Sequence, residues 1–429
     1  MPKLTRPYTC APRRWIAVGA IAAALACLPS QAAAQQDRQA QSVAERNAPE
    51  FTSRPIRVGS FDLFPTISAE VAYNDNIFAL PNNEIDDAVI TITPEIILTK
   101  RRPDRETRLN LSAGLRRFTD AISENSERFS ANFQTRRGMG SGTQWNLGAG
   151  ISQNFEQRRD IQSFNEASEP INFTRLDASA GVSQEFGPLR VSANARVRAV
   201  RFDGEIEVGG QVLDLSFRDF ELYEGRLRGS FARSRNQEFY LQATADTRRF
   251  DLAPLFLGGE IVNFIDRTST GGRIEAGYRR QVTELLYLDV RAGYLQQDFD
   301  DPAIDNQTGL AFSADLLWNA TPLTSVKVTG RRQVDTNVNP NFSGLVRTEA
   351  QLQVEHELMR NILLIGRFVL ADLNQNNSPI DGTQYNVSAS ARYRVSRFLG
   401  LSLAAERFER SSLAGITQNS VRAGVTYNF

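Results

Sequence analysis

The chain has 429 residues, with 49 basic and 49 acidic side chains, one histidine and two cysteines. So even a charge balance gives nucleic acid nothing to hold electrostatically, and so few imidazoles and thiols exclude the common zinc and disulfide frameworks. Although 41% of the residues are hydrophobic, the chain beyond residue 34 contains no apolar run long enough to cross a bilayer as a helix.

The first segment reads as an export leader. Lys3, Arg6, Arg13 and Arg14 form a basic region, residues 15–28 a short apolar core, and Ala32-Ala33-Ala34 a small-residue cleavage site before Gln35. A lipoprotein reading of Cys27 is disfavoured because the leucine expected three positions before it is missing. Cleavage after Ala34 removes both cysteines, Cys10 and Cys27, and leaves Lys100 and Lys327 as the only lysines, so nearly all remaining basic charge is arginine. Residues 35–57 are rich in Gln, Arg, Ala and Glu without periodicity and are expected to be a flexible periplasmic lead-in, too short for a plug domain.

From Phe61 onwards, segments with a two-residue period recur to the end of the chain. Leu109, Leu111, Ala113 and Leu115 share one face, as do Leu189, Val191, Ala193, Ala195 and Val197, and later Leu310, Phe312, Ala314, Leu316 and Trp318. A helix would need spacings of three and four. Strands are expected near 63–75, 87–100 and 104–118, through 214–232 and 267–280, to 398–410 and 417–429. They number about eighteen, each long enough for the ~9–11 residues that cross a bilayer at a tilt. Short connections, at 101–103, 186–188, 281–283, 320–322 and 358–360, alternate with longer polar ones such as 76–86, 156–170, 204–212 and 300–306. The expected fold is therefore all-β: a transmembrane antiparallel up-and-down β-barrel over residues 58–429, with short periplasmic turns and longer extracellular loops. The apolar stretch 251–264 departs from the pattern and is a constriction folded into the mouth, a surface hairpin or a misplaced strand boundary.

The last strand carries Val421, Ala423, Val425, Tyr427 and Phe429 on one face. An apolar face closing on a terminal aromatic resembles the signal that barrel assembly machinery reads in bacterial outer-membrane barrels, which makes Val425, Tyr427 and Phe429 the candidate assembly signal.

Two stretches carry a family resemblance. Leu63-Phe-Pro-Thr-Ile-Ser-Ala-Glu-Val-Ala-Tyr73-Asn-Asp-Asn-Ile-Phe78, followed by residues 86–96, resembles the opening of the outer-membrane beta-barrel porins of type 2, and residues 294–305 and 318–325 resemble its later half. The likeness covers residues 58–429 and rests on strand-and-turn patterns. Members often accompany exopolysaccharide synthesis and export systems, so the resemblance implies a role as a conduit linked to export, with polysaccharide export or co-polymerase proteins as partners besides outer-membrane lipids. It carries over no catalytic residues.

If the apolar rows face lipid, their partners face the lumen. The candidate lumen-lining residues are Arg190, Arg196, Arg198, Arg226, Arg228, Arg291, Arg347, Arg367, Arg392, Arg394 and Arg422. Inward acids read the same way are fewer, beginning with Glu224, Asp246, Glu275 and Asp289. Arginine–carboxylate ladders that hold register are one role for these charges; an electropositive duct that favours anions is the other. Three functions stay open: a conduit for anionic or polysaccharide material, a general or solute-selective porin, and a closed barrel whose loops bind something.

Catalysis is not expected. His356 shares the face of Val346, Leu352 and Val354, a poor place for a general base. The glycines of 138–142 lack a following helix and read as a hairpin turn. No cofactor, metal site or nucleic-acid partner is predicted, and the strands are too few for a TonB-dependent receptor.

Overall fold

The computed structural model describes residues 41–46, 48–160, 163, 167–250, 253–257, 260–335, 345–374, 382–411 and 415–429. The leader and its cleavage site lie outside these residues. In chain order come β1 (Ile56–Val58), β2 (Phe61–Asn74), β3 (Asp87–Arg102), β4 (Arg105–Phe118), β5 (Ser126–Arg137), β6 (Thr143–Phe155), β7 (Asn172–Phe186) and β8 (Leu189–Phe202). A hairpin of β9 (Glu205–Val208) and β10 (Gln211–Asp214) precedes β11 (Phe220–Ser234) and β12 (Gln237–Phe250). A second, of β13 (Ala253–Leu257) and β14 (Glu260–Ile265), precedes β15 (Ser269–Thr283), β16 (Leu286–Phe299), β17 (Gln307–Thr321) and β18 (Thr324–Asp335). The last are β19 (Leu345–Met359), β20 (Ile362–Asn374), β21 (Gly382–Arg394), β22 (Leu399–Ser411) and β23 (Ile416–Asn428).

Every long strand pairs antiparallel with its neighbours, and β23 returns to β2 with Thr66 opposite Asn428 and Asn74 opposite Ser420. Eighteen strands close one cylinder, as the sequence predicts. Closure leaves no unpaired ladder in the hydrocarbon, which is why sheets cross membranes only as barrels. β1 adds a short extra pairing to β2, with Ile56 opposite Leu63, below the point where β23 takes over the same edge. No helix among the described residues is long and apolar enough to cross a membrane; the strands do that.

The two-residue period sorts side chains between lipid and lumen. On the outside, Val71 is 53% exposed, Leu227 56% and Leu403 57%. Register carries this phase around the wall: Leu227 lies opposite Ala193 on β8 and Ala243 on β12, while inward Arg226 lies opposite Asn194 and Thr244. His356 pairs with Thr324 and Leu364 on the outward phase, its Nδ1 3.0 Å from the Thr324 hydroxyl.

Short turns such as Gly187–Pro188 gather at one end, taken as periplasmic. At the turn after β5, Gly138 and Gly140 adopt φ of 75° and 79°. A Cβ on Gly138 would also sit 2.1 Å from the Thr143 carbonyl oxygen, so glycine is required there. The opposite end carries the longer connections, and two described parts of it are packed. Ala167 and Ile171 join Ile206, Leu215 and Phe217 in one apolar cluster, and Ile77 and Phe118 join Ala72 and Val89 in another.

Two expectations change. The strand placed at 214–232 begins at Phe220, because the Asp214 side chain accepts the Ser216 N–H at 2.8 Å and starts a 3-10 turn over Leu215–Arg218. Within the lead-in expected to be flexible over 35–57, the segment Ser42–Glu45 is docked. Val43–Glu45 forms a 3-10 turn, closed by a capping box between Ser42 and Glu45 and seated on the inner wall of β17, β18 and β19 near the short-turn end. There Val43 N–H donates to Ser325 Oγ at 2.8 Å, Ala44 N–H to Glu355 Oε2 at 2.9 Å, and Lys327 Nζ to Glu45 Oε1 at 2.8 Å.

Candidate functional site

The lumen holds the chemistry-bearing side chains. All the candidate lumen arginines occupy the inward phase of their strands, opposite in register to the exposed apolar rows. From β7 to β16 they share carboxylates. Asp177 on β7 meets three guanidiniums, Arg175 Nε at 2.9 Å, Arg196 Nη2 at 2.9 Å and Arg198 Nε at 3.0 Å. Glu275 lies between Arg291 (3.1 Å) and Arg273 (3.8 Å), and Glu238 between Arg228 (3.7 Å) and Arg279 (3.7 Å). Asp289 takes Arg279 Nη2 and the Tyr240 hydroxyl, each at 2.5 Å, while the Arg228 guanidinium lies 3.4 Å from the Tyr240 ring centroid. Adjacent strands lie about 4.8 Å apart, so a long guanidinium spans to the next strand and often reaches a second acid.

The inward acids read from sequence were incomplete. Register adds Asp177, Glu185 and Glu238 to the lumen face, and each pairs with an inward arginine. The wall is therefore more nearly balanced than the sequence list implied. At the short-turn mouth, Arg108, Arg392 and Arg394 have no acidic partner among the described residues. Arg367, further up the wall, donates to the Gln353 amide at 3.0 Å.

A loop crosses the lumen. Residues 156–160, which follow β6, form a strap that reaches across to β22, where Arg159 Nη1 meets Glu406 at 2.6 Å and Arg410 donates to the Arg159 carbonyl at 2.9 Å. The Arg159 guanidinium also lies 5.1 Å from the Phe408 ring centroid. Glu406 is completed by Arg422 at 2.8 Å and the Asn386 amide at 2.7 Å. Arg158 forms a buried pair with Glu124 at 2.5 Å and lies over Phe78. Arg218 pairs with Glu156, whose carboxyl is pushed up by burial against the pull of that guanidinium. Burial and neighbouring Arg218 lower Arg267 to about 10. Beneath the loop, Arg159, Arg347, Arg367, Glu406 and Arg422 line a cavity of about 720 Å³. Within the apolar stretch, Ala253–Leu257 and Glu260–Ile265 pair with each other as β13 and β14. The local signal was the Arg158-Arg159 doublet inside a polar loop; its partner Glu406, 247 positions away, was beyond reach of any local pattern.

One sector of the wall is uncharged. The inward face of β6 is Gln144, Asn146, Gly148, Gly150, Ser152 and Asn154, and Asn132 and Gln134 continue it on β5. It borders the arginine sector along β7 and β8.

At the short-turn end of the terminal strand, Phe429 N–H donates to the Pro65 carbonyl at 3.2 Å. The Tyr427 and Phe429 rings meet edge to face, 5.0 Å between centroids, on the outer surface.

A family model described as Putative beta-barrel porin 2 matches residues 48–429. No curated protein matches the chain. Among solved structures, the chain is similar to a BenF-like porin from Pseudomonas fluorescens Pf-5, with TM-score 0.47 and 10% identity, covering 87% of this chain and 99% of that one. It is similar to OpdQ of Pseudomonas aeruginosa, with TM-score 0.45 and 9% identity over 89% and 99% of the two chains. The siderophore receptor PirA of Acinetobacter baumannii is matched with TM-score 0.46 and 6% identity over 87% and 81%.

Proposed function

We propose that this chain, which belongs to the Putative beta-barrel porin 2 family and resides in the outer membrane, is a constricted channel that passes small anions in preference to cations. The observation that carries the reading is the sharing of carboxylates. Asp177 serves three arginines, and Glu224, Glu238, Glu275, Glu349 and Glu406 each serve two basic side chains, so the paired wall keeps a positive remainder. Arg108, Arg392 and Arg394 add to it at the short-turn mouth. A charged wall around a water-filled path concentrates counter-ions and repels co-ions, and the strap held by Arg159 and Glu406 brings charge toward the middle of that path.

Reversal potentials in planar bilayers under a potassium chloride gradient test this reading. Chloride preference is expected, and cation preference overturns it.

Export of an acidic polysaccharide is the finer reading. The resemblance to type 2 porins supports it, and an arginine-lined duct suits a polyanion. Polymer secretion that is unchanged after deletion of the gene removes export and leaves the anion channel. Within the proposal, residues 1–34 act as a cleaved leader, Val425, Tyr427 and Phe429 engage the barrel assembly machinery, and the chain performs passage rather than catalysis.

A further inference from the structure

The neutral sector and the arginine sector meet along β6, β7, β8 and β11, and their boundary encloses a recess of about 480 Å³. We infer that this recess is a binding subsite for a small hydroxylated carboxylate, of the sugar-acid class. The inference rests on the anion-channel reading and adds a substrate class to it.

Three glycines shape the recess. A Cβ on Gly150 would lie 2.6 Å from Asn132 Oδ1, one on Gly148 2.7 Å from Ser179 Oγ, and one on Gly181 2.2 Å from Asn194 Oδ1. The amide and hydroxyl groups therefore lie flat across the glycines and do not project into the lumen. This opens the recess while keeping donors and acceptors along its floor. A ridge of Cβ-bearing residues would have closed it.

The more exposed arginines of the recess keep donors in hand. The side chains of Arg196 and Arg226 are 44% and 38% exposed, and each gives only part of its guanidinium to Asp177 or Glu224, which leaves N–H groups for an external solute. Guanidinium N–H groups match a carboxylate. Side-chain amides and Ser179 match hydroxyls, which both donate and accept.

The surroundings narrow the ligand. Asp177 and Glu224 also line the recess; they accept hydrogen bonds from hydroxyls and repel a dianionic phosphate. Its volume falls within the range of small-molecule sites.

Purified barrel in a planar bilayer tests the inference with three six-carbon probes. Gluconate carries both a carboxylate and hydroxyls, hexanoate only the carboxylate, and sorbitol only hydroxyls. Gluconate is expected to block chloride current saturably, at concentrations at least about fivefold below those needed with hexanoate or sorbitol, the factor one net hydrogen bond supplies. Asn146→Leu and Asn194→Leu should remove that advantage while leaving chloride conductance in place. Equal block by gluconate and hexanoate on the wild-type barrel overturns the subsite whether or not the variants fold. Chloride preference without gluconate discrimination defeats the subsite alone, and cation preference defeats the channel reading beneath it.

Discussion

Glu355 accepts the backbone N–H of Ala44 at 2.9 Å across 311 residues of sequence, and the contact leaves the carboxylate with no exposed surface. Gln353 Nε2 at 2.7 Å and Lys327 Nζ at 3.2 Å complete its shell. A buried carboxylate this fully engaged makes the N-terminal turn part of the periplasmic mouth.

Glu355→Ala should release that turn. A hydrogen bond to a charged group contributes about 1.5–3 kcal/mol, and Ser325 alone holds the neighbouring N–H. Limited proteolysis within residues 41–50 should accelerate about tenfold or more, with the heat-modifiable barrel unchanged on gels. Unaltered cleavage would show that the turn is held by other contacts.

Acid should release it as well. Burial raises the Glu45 carboxyl, but the Lys327 ammonium and the Ser42 N–H outweigh that and hold it below the ordinary glutamate range. A lowered acid contributes its docking energy at neutral pH and loses it as pH falls through that range to the lowered value. Proteolysis near residue 45 should therefore rise only in acid, and Glu45→Gln should flatten the profile.

Arg158→Met should destabilise the extracellular face. Arg158 and Glu124 are almost fully buried, and stripping one partner from such a pair costs about 3–5 kcal/mol. Thermal unfolding in detergent should shift down in the single variant and recover when Glu124→Leu is added.

Substitutions of opposite phase should separate cleanly. Leu227→Arg, on the lipid face near mid-strand, should cost about 2–4 kcal/mol. Ser388→Arg, on the lumen face of β21, should fold normally and raise chloride preference. Comparable folding yields for both would contradict the register.

Deleting Phe429 removes the Pro65 contact and the edge-to-face pair with Tyr427. The folded fraction recovered from the outer membrane should fall, and Phe429→Tyr should restore most of it, since the ring pair contributes only about 0.5–1.5 kcal/mol beyond its buried area.

The barrel was legible because a two-residue period is a local property, written in stripes such as Leu109 to Leu115. The same phase places Asp177, Glu185 and Glu238 inward, so these acids were readable from the arginine rows they accompany. The docked turn also left a mark: Ser42 and Glu45 have the spacing of a capping box, obscured by the aperiodic residues around them. The strap left almost none. Arg159 finds Glu406 only after the wall has closed, and no local pattern encodes a contact across the bore. The glycine-floored recess was equally hidden, because it arises from which residues face Gly148, Gly150 and Gly181 on neighbouring strands.

β1 and β23 claim successive stretches of a single edge of β2: Phe61–Leu63 goes to the first and Thr66–Asn74 to the second. The head and the tail of the polypeptide thus compete for one zipper. If β1 slipped two residues further along, it would reach Pro65, whose carbonyl accepts the Phe429 N–H. The tight Gly59-Ser60 turn, with Gly59 at φ 59°, pins β1 short of that point and so reserves the seam for the chain's final strand.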